Sequence, residues 1–356
     1  MKTLKVIPIF FLAILLFISC SDDNDNDTDP PISGDYKDGF FVTNEGPFQN
    51  GSGTITFVGT DGTIEQSIYN KVNKEDLGNI VQSMLLNDDR AYIVVNNSHK
   101  VVVANRYTME KIDIIEGDNI NNPRYFIVYK NVGYLSNWGD PNDPSDDFIA
   151  MIDLATNEVV NTIPVEEGPE NMVISDATLF VNLEGGYSQN NKVTSIDLRT
   201  NEVKTNTIVG EIPNSSSVDF LGTVWVLCSG NPSWTGNETA GRLYKITESD
   251  TSYFEFGPED HPENLTYGNG RLYYNLNGKV YEMVISDNLL PAEKMNGFDG
   301  NYYTLKYNDE KLYATDAGDF ASEGTLKVFD IATANLLETI TTGIVPGDLE
   351  FQQPQN

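Results

Sequence analysis

Seven short apolar runs, each with an aromatic residue in second place, punctuate this chain at nearly even intervals. They are Phe40-Phe41, Ala91-Tyr92, Gly133-Tyr134, Leu179-Phe180, Val224-Trp225, Leu272-Tyr273 and Leu312-Tyr313, each followed by further apolar or small residues and most opening onto polar ones. The spacings between successive aromatics are 51, 42, 46, 45, 48 and 40 residues. A repeat of about 40–50 residues built from β-type runs has the length of one four-stranded propeller blade. Even spacing over the whole chain argues against two unlike domains, although the length alone would permit them.

Two further signals keep step with the first. A second apolar strand pattern follows each aromatic run, as in Phe148 to Ile152, Lys192 to Ile196 and Gly324 to Phe329, and several end in an Asp-x-x-Thr turn such as Asp153 to Asn157. There the Asp side chain can bond its own backbone and set the turn. Ten residues before the second and later aromatics stand Gln82, Arg124, Glu170, Ser215, Glu263 and Tyr303, with Pro123, Pro169 and Pro262 immediately before three of them. These mark the start of an innermost strand, where a proline enters without removing a central ladder bond. The first copy lacks such a strand, and Val345 to Phe351 is one with nothing after it. The expected fold is therefore all-β: a seven-bladed β-propeller with four-stranded blades over residues 39–353, its ring closed by the C-terminal strand pairing with the N-terminal blade.

The N-terminus has another logic. Lys2 and Lys5 precede an apolar run from Val6 to Ile18, too short to span a bilayer and right for the core of a signal peptide, which assigns residues 1–19 to export. Ser19-Cys20 at its end resembles a bacterial lipobox, implying cleavage and lipidation at Cys20, although Phe17 replaces the usual Leu. Residues 20–38 contain an Asp- and Asn-rich stretch expected to be a solvated tether. An acidic stretch after a lipid-bearing Cys resembles the surface-export signal of Bacteroidetes lipoproteins, implying an outer-membrane protein that faces the cell exterior and touches the membrane through its anchor only.

Composition narrows the chemistry. With 22 Lys+Arg against 53 Asp+Glu, a formal charge of -31 sets nucleic acid aside as a partner. Two Cys and two His are too few for a Cys/His metal centre or a disulfide framework, and no intrinsic cofactor or metal is expected. The segment Asp140 to Asp147 offers oxygen ligands, but its prolines and missing glycine depart from an EF-hand loop, and a solvated acidic loop is the expectation.

Because the aromatic strand runs antiparallel to the innermost one, the end of the former and the start of the latter open on one face. Long loops gather there, and function favours loops on a rigid scaffold. The candidate ligand-binding residues on this face are Asn44, Glu45, Phe48, Gln82, Asn97, His99, Arg124, Tyr125, Trp138, Glu170, Asn171, Tyr187, Trp234, Glu263, Asn264, Tyr302, Tyr303 and Phe320. Aromatic rings would cover flat or apolar parts of a ligand while amides and carboxylates meet its polar groups. Arg124 and Glu170 either pair with each other in the channel mouth or contact the ligand; His99 and His261 suit loop hydrogen bonding better than metal ligation. No nucleophile-elbow signature is present, so no catalytic residue is assigned.

Phe40 to Gly46, Leu77 to Met84, Tyr92 to Lys100 and Pro123-Arg124-Tyr125 resemble the YncE-like, YVTN-type propellers, and within them the BtuG-like corrinoid-binding surface lipoproteins of Bacteroidetes. That resemblance covers nearly all of the chain after residue 38. It implies a non-enzymatic protein that captures a corrinoid, a vitamin B12-like cofactor, and delivers it to a TonB-dependent outer-membrane transporter. A protein- or glycan-binding adhesion propeller is the alternative, and a propeller hydrolase or lyase the third.

Overall fold

The computed structural model describes residues 33–352 except 49 and 141. The expected signal sequence, Cys20 and most of the expected tether lie outside the described residues. The last residues of the span expected to be tether are not solvated chain: Tyr36 is buried edge-on against Phe57 at 5.1 Å, and its N–H donates to Tyr107 O at 3.0 Å. The folded unit thus takes in residues before Gly39.

The described residues form seven antiparallel sheets in which consecutive strands are neighbours, the meander of a propeller blade. The innermost strands of blades 2 to 7 are Val81–Asn87, Pro123–Tyr129, Pro169–Ser175, Pro213–Val218, Glu263–Gly268 and Thr304–Asn308. All seven repeat aromatics lie on the second strand of a blade, and all but Phe180 are buried. They fill the gap between blades. Tyr92 stacks on Phe126 at 4.7 Å, and Tyr273 stacks on Tyr307 at 5.9 Å.

Ring closure is as expected. The C-terminal strand Pro346–Phe351 pairs antiparallel with Gly39–Asn44, Phe40 opposite Phe351 and Thr43 opposite Asp348. Both neighbours hold it. From blade 7, Lys306 Nζ donates to Asp348 Oδ1 at 3.0 Å and to Leu349 O at 2.6 Å; from blade 2, Met84 N donates to Asp348 Oδ2 at 3.3 Å. Tyr313 of blade 7 packs on Phe40 and Phe351, with ring centroids 5.3 and 4.8 Å away.

Blade 6 differs from its neighbours. Its sheet has three strands, and the outer place is taken by an irregular segment after Val284 that meets it at a bridge, Lys279 with Asp299, and through Met295 N, which donates to Val280 O at 2.8 Å. That segment includes Asn288-Leu289-Leu290-Pro291-Ala292, without β alternation and interrupted by proline.

Candidate functional site

The innermost strands position the site through a repeated irregularity. In blades 2 to 6 the pairing of the innermost with the second strand shifts register at the first residues, between Val81 and Ser83, Pro123 and Phe126, Pro169 and Met172, Pro213 and Ser215, and Glu263 and Thr266. A bulge bends its strand and re-aims the unpaired side chains. Gln82, Arg124, Tyr125, Glu170, Asn171, Asn214 and Asn264 all occupy these bulges, around one end of the ring.

Arg124 is the hub. Its Nε donates to Glu170 Oε1 at 2.8 Å and its Nη1 to Gln82 Oε1 at 2.6 Å, so the guanidinium ties blades 2, 3 and 4. Its Cζ also lies 4.2 Å from the centroid of the Trp138 ring, a cation–π contact. The Trp138 indole N–H is buried and has no partner among the described residues. Tyr187 stands edge-on to Trp138 at 6.5 Å. Across the mouth, Tyr303 O–H donates to Glu45 Oε1 at 2.8 Å, and Phe320 meets Tyr303 edge-on at 5.6 Å.

The electrostatics are those of several carboxylates around one guanidinium. Burial pushes the Glu184 carboxyl up to about 8, with the nearby Glu170 charge adding to the rise and Arg124 opposing it. Burial also raises Glu170, partly offset by its pair with Arg124, and raises Glu45. Glu184 belongs to a loop that comes close to the preceding one: Glu184 N donates to Gly168 O at 2.8 Å, and a Cβ on Gly168 would lie 2.1 Å from Gly185 N. Gly168, at φ 77°, is therefore required by both conformation and space.

Two hollows open on this face on either side of Tyr303. The first, about 550 Å³, is lined by eight of the expected residues, Glu45, Phe48, Gln82, Asn97, Arg124, Trp138, Tyr187 and Tyr303, together with Ile80, Asn96, Asn122 and Gly186. Arg124 is the one cation among these lining residues. The second, about 520 Å³, gathers Glu263, Tyr302, Tyr303 and Phe320 with His261, Asn275, Asn277, Asn301 and Asp316. Glu170 lies beneath the first hollow on Arg124. Phe48 and Tyr187, each 74% exposed, stand proud of the rim, as does Trp234, which is 77% exposed and lines neither hollow.

Several expected contacts take another place. Asn44 is fully buried inside blade 1, its amide donating to Thr54 Oγ1 and Thr56 Oγ1, each at 3.1 Å, because its strand position turns it inward. Tyr302 presents little surface: it is 3% exposed, packs on Phe329 and donates to Asp299 O at 3.0 Å. His99 Nδ1 accepts from Asn122 N at 3.0 Å, a loop contact. Asn264 donates to Tyr302 O at 2.9 Å and Asn171 accepts from Ser216 Oγ at 2.8 Å, both bracing adjacent blades. Tyr125 is half-buried among apolar residues between blades 3 and 4. In the acidic loop, Asp140 and Asp143 accept from Asn142 N and Ser145 N, while Asp147 turns inward to accept from Gly168 N at 2.5 Å. Among the described residues no group of three or more His, Cys, Asp or Glu converges to hold a metal ion.

A family model described as a domain of unknown function, DUF5074, matches residues 38–270, from the second strand of blade 1 to the innermost strand of blade 6. The chain belongs to this family. No curated protein matches it in sequence. Among solved structures, this DUF5074 chain is similar to the periplasmic gluconolactonase PpgL of Pseudomonas aeruginosa, with a TM-score of 0.62 and 10% identity over 88% of this chain and 99% of that one. It is also similar to a Kuenenia stuttgartiensis hydrazine synthase chain, at TM-score 0.57 and 15% identity over 89% and 99%. A third is the computationally designed Ika8 protein, at 0.55 and 12% over 88% and 96%. At such identities the likeness shows the propeller fold, on which unrelated activities are built.

Proposed function

We propose that this protein binds a small molecule on the long-loop face, that the ligand is a corrinoid or a cofactor of similar size, and that it passes to a TonB-dependent outer-membrane transporter. The observation that carries the binding reading is the first hollow: exposed rings at its rim, an indole N–H without a partner among the described residues, and amides around one fixed guanidinium. Its volume of about 550 Å³ lies within the ~300–1,000 Å³ usual for small-molecule sites.

A corrinoid suits such a surface because a flat macrocycle offers faces to Trp138, Tyr187 and Phe48, while its peripheral amides find partners in Gln82, Asn97 and Asn122. Trp138 N–H would gain the acceptor it lacks. The choice of corrinoid, the lipid anchor at Cys20 and the delivery step rest on the sequence resemblance. Trp234, outside both hollows, supplies an exposed ring for a docking partner. A pull-down on immobilised cobinamide and cobalamin, read by absorbance, tests the ligand; failure to retain the protein at micromolar corrinoid overturns this choice.

A further inference from the structure

The second hollow has a chemistry of its own. Asn275 lines it, is only 6% exposed, and has an amide with no hydrogen-bond partner among the described residues, its Oδ1 fully buried. Buried amides without partners are rare because they cost stability, and this one lines the hollow.

Its surroundings restrict what completes it. Glu263 accepts no hydrogen bond at its carboxylate among the described residues and has His261 as a charge neighbour, Asp316 accepts one backbone N–H from Gly318, and Asn301 adds a further amide. No lysine or arginine lines the hollow, so an anionic ligand would meet carboxylates with nothing to neutralise it. A purely apolar ligand would leave these groups unpaired. Phe320, 56% exposed and braced edge-on by Tyr303, offers a flat apolar wall beside them. Dense acceptors and amides next to one aromatic face match a pyranose, whose hydroxyls donate and accept while one C–H face packs on a ring.

We propose that this hollow is a binding subsite for a neutral saccharide, with Phe320 as the stacking platform and Asn275, Glu263 and Asn301 as hydroxyl partners. The proposal is independent of the corrinoid reading. Saturation-transfer NMR on the full chain, with methyl glucoside, mannoside, galactoside and N-acetylglucosaminide, tests it. At least one glycoside should bind saturably at millimolar concentration, and Phe320→Ala should weaken it about tenfold. Asn275→Ala should weaken it too, whereas Phe220→Ala, on a turn outside both hollows, should leave it unchanged. No saturable glycoside, binding that survives Phe320→Ala, or tetramethylammonium binding in place of the sugars would overturn the proposal.

Discussion

Arg124 holds Trp138 and Glu170 at once, its guanidinium 4.2 Å from the indole centroid and its Nε 2.8 Å from the carboxylate. One side chain thus fixes the main aromatic plate of the first hollow and offsets a carboxylate that is 4% exposed. Replacing it separates these roles. Arg124→Ala should cost about 3 kcal/mol, because Glu170 is left buried without its partner, while Arg124→Ala/Glu170→Gln should recover most of that loss. Urea unfolding of the single and double variants measures the difference; equal stability of the two would contradict it. Arg124→Lys should not restore ligand binding, since an ammonium cannot serve Gln82, Glu170 and the indole face together.

The closing strand should be indispensable. Removing Val345 to Asn356 strips blade 1 of its innermost strand and frees Lys306 from Asp348. The expected outcome is loss of the cooperative thermal transition of the whole ring, seen by calorimetry. A truncated protein that melts as sharply and as late as the full chain would refute closure.

Stability should fall as pH rises from about 5 to 8. Burial raises Glu184 to about 8, with Glu170 adding to it; burial raises Glu350 to about 7 against the pull of Lys306, and Asp147 to about 7 against its bond from Gly168 N. In that window the folded chain keeps protons that the unfolded chain has released, so each unit of pH costs stability until these groups ionise. Glu184→Gln should flatten the decline by about 1–2 kcal/mol after allowance for solvent screening. Urea midpoints at several pH values check this; a profile unchanged in the variant would count against it.

The repeat made the architecture legible because blade filling needs a large ring at one fixed place, and Phe41 through Tyr313 supply it. Ring closure was legible from a strand pattern lacking at one end and surplus at the other. The outer edge of blade 6 was not, since Leu289 and Leu290 look apolar enough for a strand although the backbone around Pro291 cannot pair. Within the candidate site, the strand pattern brings these residues to one end of the ring, but which way each points is not in the pattern. Asn44 and Tyr302 turn inward because strand alternation and packing, rather than loop membership, set their direction. Glu184 and Asn275 escaped selection for the opposite reason: their importance lies in burial and missing partners, which a linear pattern does not carry.

That distinction gives opposite expectations for two aromatic residues. Tyr302→Ala should destabilise by about 3 kcal/mol, as loss of a buried ring does, whereas Trp234→Ala should move the melting temperature little. Differential scanning fluorimetry suffices; a neutral Tyr302→Ala would show that its packing against Phe329 is dispensable.

Calorimetric titration of cobinamide into the full chain and into Trp138→Ala tests the central claim most directly. Saturable binding at micromolar or lower concentration, weakened about tenfold or more in the variant while its melting temperature holds, is the predicted result. No heat of binding with either protein at micromolar ligand, or equal affinity for both, would contradict corrinoid capture in the Arg124 hollow.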